Sequence, residues 1–197
     1  MVKSSSSAAV AAALLSLSLS VPAEAGSRSR SGGIGAVFVW GETLAADCSR
    51  RAASGESGIL SLEVCDRALE EEVLTVRNRA ATHVNRGVIQ MRRQKLEAAL
   101  ADFSQAAALR PSMSEAYANS GFVLNAAGRH ADALPQLDRA LVLGVPKPEL
   151  TYYHRAVARE ALADNRGAYA DYRKAAQLNP GWEEPRAQMG RFTLTRP

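Results

Sequence analysis

Small residues return along this chain at a nearly fixed interval. Gly87, Gly121, Ala156 and Gly190 are separated by 34, 35 and 34 positions. Twelve residues after each of the first three stands a second small residue, Ala99, Ala133 and Ala168; four later comes a large one, Phe103, Leu137 and Tyr172; then Ala106, Ala140 and Ala175. The segments close on Pro111, Pro146 and Pro180. A unit of this length holds two helices and cannot bury its own apolar face, so such units are stable only when stacked on neighbours. A small residue on each helix lets the two axes approach toward the lower end of the roughly 8 to 10 Å range, while the bulky residue a turn away fills the flank. Leu in place of Gly87 or Ala99 would overpack that crossing.

The pattern resembles the tetratricopeptide repeat family. The resemblance implies an all-α, right-handed superhelical array of helix-turn-helix repeats with an N-terminal helical hairpin. Repeat one runs over 80–113, repeat two over 114–147 and repeat three over 149–182, with Pro148 inserted between the last two; 183–197 reads as a capping helix, its apolar side carried by Met189 and Phe192. Departures from the family pattern are His83 where Tyr117 and Tyr152 stand in the other repeats, and Arg86, Ser120 and Arg155 where Leu is usual. Pro135 falls inside the second helix of repeat two, at a cost of up to about 3 kcal/mol unless the helix bends. The paired-cysteine hairpin followed by repeats also resembles exported repeat proteins of Gram-negative bacteria, a likeness that assigns no activity.

Residues 1–25 read as an export signal: Lys3 near the start, an uncharged apolar run from Ala8 to Leu19, and small residues at Ala23 and Ala25 that direct cleavage after Ala25. The expected location is the periplasm or the exterior, and no later stretch is apolar for long enough to span a bilayer. Residues 26–41 read as a flexible Ser, Arg and Gly segment ending in the apolar run 36–41. Residues 42–79 form the hairpin, a degenerate repeat with Cys48 in its first helix and Cys65 in its second. Two cysteines in an exported chain predict one disulfide, closing a loop of about 18 residues worth about 3 kcal/mol.

The net charge of +4 is spread along the chain, which argues against nucleic acid as a partner. No nucleophile elbow, His-Glu-x-x-His or phosphate loop occurs, and His83, His130 and His154 are too scattered to hold a metal with the cysteines. The chain is therefore read as no enzyme, with no cofactor. Asp102, Asp138 and Asp171 read as one recurring position on the exposed side of the second helix, either solvated or paired with neighbours such as Arg139 and Arg173.

The family's first helices line a concave face, which places Asn85, Val88, Asn119, Phe122, Tyr153, His154 and Val157 on it. An Asn ladder suits the backbone of an extended peptide, since an amide donates and accepts at once; equally, Asn85 and Asn119 could serve only to bridge adjacent first helices. Val84 and Val88 stand where the family's carboxylate clamp has Lys and Asn, which disfavours a chaperone tail as ligand. A protein or peptide partner is the expected ligand, with self-assembly into a homo-oligomer or thiol chemistry at Cys48 and Cys65 as the alternatives. His154 in the contact would make affinity vary between about pH 5.5 and 7.5.

Overall fold

A computed structural model describes residues 2–4 and 43–194 of the chain. The rest of the stretch read as an export signal, beyond Ser4, and the segment 26–41 lie outside the described residues. The helices are α1 (Leu44–Ser54), α2 (Ile59–Glu71), α3 (Val76–Arg92), α4 (Leu96–Leu109), α5 (Ser114–Ala126), α6 (His130–Val142), α7 (Pro148–Ala161), α8 (Asn165–Leu178) and α9 (Glu184–Met189). A short antiparallel pair joins β1 (Val2–Ser4) to β2 (Phe192–Leu194). The fold is otherwise all-helical. Helices α1–α4 make one compact unit and α5–α9 with the strand pair make another.

Within each repeat the interval of small residues does what the sequence requires of it. A Cβ built on Gly87 would lie 2.6 Å from Phe103 Cε1, and one on Gly121 would lie 2.5 Å from Leu137 Cδ2. The large residue of the second helix thus occupies the space that a side chain on the first would need. Ala99, Phe103, Ala106, Ala133, Leu137, Ala140, Ala156, Ala168, Tyr172 and Ala175 are all buried.

The turn between the two helices is also the same three times over, although the sequence hides it. Gln94, Gly128 and Ala163 hold the same repeat position, and all are left-handed, at φ of 60°, 73° and 62°. Each is followed by a backbone N–H that reaches five residues back, from Lys95 to Gln90, Arg129 to Leu124 and Asp164 to Arg159. This is the Schellman closure that satisfies the last carbonyls of a helix. Only the second repeat uses the glycine that the conformation favours.

The N-terminal hairpin is assembled differently. Its turn carries Gly55 at φ 92°. Cys48 and Cys65 are bonded, with Cα atoms 4.9 Å apart. Thr43 Oγ1 accepts from Ala46 N, and the carboxylate of Glu72, just past α2, accepts from Leu44 N at 2.5 Å and Ala45 N at 3.1 Å. A negative group at a helix N-terminus satisfies orphan donors and opposes the macrodipole. That capping contact ends α2 at Glu71, short of the Leu74 that apolar content alone would have included.

One further expectation is corrected. The C-terminal helix is shorter than the 183–197 expected: α9 stops at Met189, and Phe192 leaves it to begin β2, where it packs against Tyr169 and Tyr172. Helix α6 runs through Pro135 without ending there. Pro135 is exposed.

Candidate functional site

The departures at Arg86 and Arg155 turn out to be the electrostatic centre of their repeats. Arg86 on α3 donates through Nε and Nη2 to the two oxygens of Asp102 on α4, at 2.9 and 2.7 Å, and through Nη1 to Asp66 on α2 at 2.6 Å. Arg155 on α7 repeats the arrangement, with Asp171 on α8 at 2.8 and 2.7 Å and Asp138 on α6 at 2.6 Å. Each guanidinium therefore ties the two helices of its own repeat together and reaches back to the preceding hairpin. A bidentate fork on a carboxylate is the geometry Arg provides and Lys does not.

Asp102 and Asp171 are 3% and 4% exposed, which corrects their reading as solvated, and their partners are Arg86 and Arg155 rather than Arg139 and Arg173. Asp138 stands two positions further along its repeat and is half-exposed. The three residues occur together or not at all. Repeat two has Ser120 in place of the Arg and Gln136 in place of the buried Asp, and Ser104 rather than Asp follows Phe103. A lone buried carboxylate is costly, so loss of the Arg and loss of the Asp go together. Burial works against the charge of Arg86 and Arg155, but the hydrogen bonds and charges of their aspartates outweigh it and hold both pKa values above the ordinary one. His83 Nδ1 also lies 2.9 Å from Asp102, and Arg159 lies 2.8 Å from Asp171.

The residues expected to line a groove are all buried. Asn85 and Val88 belong to the first unit and are fully enclosed. In the second unit Asn119 is enclosed too, while Phe122, Tyr153, His154 and Val157 retain 2–6% exposure. The structure does bring several of them together: the Phe122 and His154 rings lie 4.1 Å apart, and Tyr153 meets His154 at 5.7 Å, Tyr172 at 5.4 Å and Trp182 at 4.8 Å. Asn125, which sequence reasoning passed over, makes the bridge between first helices: its Nδ2 donates to the backbone oxygen of His154 at 2.7 Å, and its Oδ1 lies 3.1 Å from His130 Nδ1. An Asn at the end of one helix, five residues before the next begins, gave no signal distinguishing it from a turn residue. Burial pushes His154 down to about 3, so it carries no charge between pH 5.5 and 7.5, and the expected pH response in that window is withdrawn.

Helix pairs, small-residue crossings and closing turns repeat three times, and within each unit the geometry is that of a known helical repeat. The chain has the tetratricopeptide repeat fold. It is similar to the tetratricopeptide repeat domain of Arabidopsis OM64, with a TM-score of 0.57 and 20% identity over 59% of this chain and 96% of that one. It is also similar to MamA from Desulfovibrio magneticus, with a TM-score of 0.62 and 21% identity over 73% of this chain and 77% of that one. A tetratricopeptide repeat protein from Parabacteroides merdae matches with a TM-score of 0.60 and 21% identity, over 74% of this chain and 56% of that one. No family model matches the sequence, and no curated protein matches it. Among the described residues, no three His, Cys, Asp or Glu side chains form a metal-binding group, and no helix of this tetratricopeptide repeat chain is long and apolar enough to cross a membrane.

Proposed function

We propose that the chain is a non-catalytic scaffold that binds a protein or an extended peptide in the cell envelope. The observation that carries this reading is the use made of buried charge. Buried carboxylates are the usual raw material of acid–base catalysis. Here Asp102 and Asp171 are each clamped by a bidentate arginine and face the repeat interior, so their oxygens are committed to holding helices together. The repeat fold supports the same reading, since stacked hairpins offer a continuous row of first helices to a partner. The envelope location rests on the signal-like start of the sequence.

The contact surface we propose is the first-helix edge of the second unit, where Phe122, Tyr153, His154 and Val157 keep 2–6% exposure; Asn119, and in the first unit Asn85 and Val88, are fully enclosed and pack their own helices. Affinity capture from envelope extracts, quantified by mass spectrometry and paired with light scattering of the purified protein, tests the reading. A reproducible protein partner with a monomeric chain supports it. A chain that captures only itself and scatters as a closed oligomer replaces it with structural self-assembly.

A further inference from the structure

The side chains that the α1–α2 hairpin buries most completely are small, and its larger Leu44, Leu62, Val64 and Leu69 are only partly buried. The small ones are Ala45, Cys48, Ser49 and Ala52 on α1, and Ser61, Cys65 and Ala68 on α2. The α3–α4 pair buries Val84, Val88, Ile89 and Phe103. Apolar stabilisation scales with the area removed from water, so the hairpin draws less from it than that pair does. Its attachment to α3 is polar instead. Arg79, Arg86 and Arg93 recur at intervals of seven, which keeps them on one side of α3. They donate to Leu69 O at 2.9 Å, Asp66 Oδ1 at 2.6 Å and Ser57 O at 2.7 Å, and Arg92 donates to Ala52 O at 2.6 Å. All four acceptors belong to the hairpin, and three are backbone carbonyls that sit in place only while the hairpin is folded.

The Cys48–Cys65 bond spans 17 positions and cross-links α1 to α2 beyond the turn that joins them, with both residues fully enclosed. We infer that the hairpin is a thiol-controlled cap on α3. When the hairpin opens transiently, a dithiol reductant reaches the bond and transfers two electrons and two protons, its own sulfurs closing into a disulfide as Cys48 and Cys65 become thiols. The hairpin then leaves α3, while α3–α4 keeps its own core around Phe103 and Gly87. Release uncovers the arginine-bearing side of α3, which the oxidised protein uses internally. The inference goes beyond the scaffold reading and does not depend on any partner being found.

Hydrogen exchange of the full chain with and without dithiothreitol, read by mass spectrometry, tests it. Loss of a cross-link of this loop size shifts the opening equilibrium by about 100-fold. Amides of residues 44–71 should therefore exchange faster by about that factor, with those of 96–109 and 114–178 changing by less than about threefold. The Cys48→Ser/Cys65→Ser variant, measured without reductant, should reproduce the pattern. Equal acceleration in every helix, a variant that loses helix throughout, or unchanged exchange in 44–71 once both thiols are alkylated would each overturn the proposal.

Discussion

Replacing Arg86 with Leu, the residue usual at that position in tetratricopeptide repeats, should destabilise the protein, and replacing Asp102 as well should restore most of the loss. In the single variant Asp102, 3% exposed, loses two charge-assisted hydrogen bonds and keeps only His83 Nδ1. Bonds of that kind are worth about 1.5 to 3 kcal/mol each, and stranding a buried ion costs about 3 to 5 kcal/mol in total. The third bond adds little, because the Asp66 side chain is 47% exposed and such pairs are worth at most about 1 kcal/mol. Retention of the His83 contact brings the expected loss for R86L to about 3 kcal/mol. In R86L/D102A no charge is stranded, and the new Leu packs where the guanidinium stem lay, so the double variant should lie within about 1.5 kcal/mol of the parent. Urea unfolding followed by circular dichroism reads both differences. A loss below about 1 kcal/mol for R86L, or a double variant less stable than the single, would refute the reasoning that the Arg is there to neutralise a buried Asp.

Gly121→Leu should cost at least about 1 to 3 kcal/mol in the same assay, because its Cβ alone would meet Leu137 at 2.5 Å; a Leu variant as stable as the parent would show that α5 and α6 do not cross there. Ala163→Gly should raise stability by about 0.5 to 1 kcal/mol, since it removes a Cβ from a left-handed residue at φ 62°, and a decrease in unfolding midpoint would contradict the turn. His154 is held below its unfolded pKa of about 6.5, so the unfolded chain takes up the proton first; stability is full above that pH and falls by about 1.4 kcal/mol per unit as pH drops toward 3. His154→Gln should remove that component, and a parent whose unfolding free energy is flat from pH 6.5 to 4.5 would show His154 to be solvated. Asn119→Ala should lower stability by about 1 to 3 kcal/mol, because Asn119 is fully enclosed; a variant as stable as the parent would show its side chain to be accessible.

The repeat units were legible because close helix crossing demands small residues at fixed positions, and that demand leaves an interval of 34 that survives any change of chemistry around it. The disulfide was legible from a count of two cysteines behind a signal-like start. The triads were not, since Arg86 and Arg155 departed from the family pattern and their partners lie 16 to 20 positions away, so Asp102 looked like any acidic residue on a helix. The signal was nonetheless present in the chain: Arg and buried Asp vary together across the three repeats, and only the repeat with Ser120 has Gln136. The closing turns were hidden for another reason. Gln94 and Ala163 take a left-handed conformation that their side chains disfavour, imposed by the packing of the two helices they join. The candidate contact residues were legible as a register but not as a surface, because periodicity fixes which side of a helix a residue occupies and says nothing of what covers it.

The central claim is that this is a scaffold which engages another protein through its first helices. Site-specific photo-crosslinking in cells, with the reactive residue at Glu115 on α5 in one strain and at Val142, 79% exposed at the end of α6, in another, tests it most directly. The account predicts a discrete crosslinked protein from Glu115 and none from Val142. Crosslinks from both positions to many proteins alike, or from Glu115 only to a second copy of the chain, would contradict it.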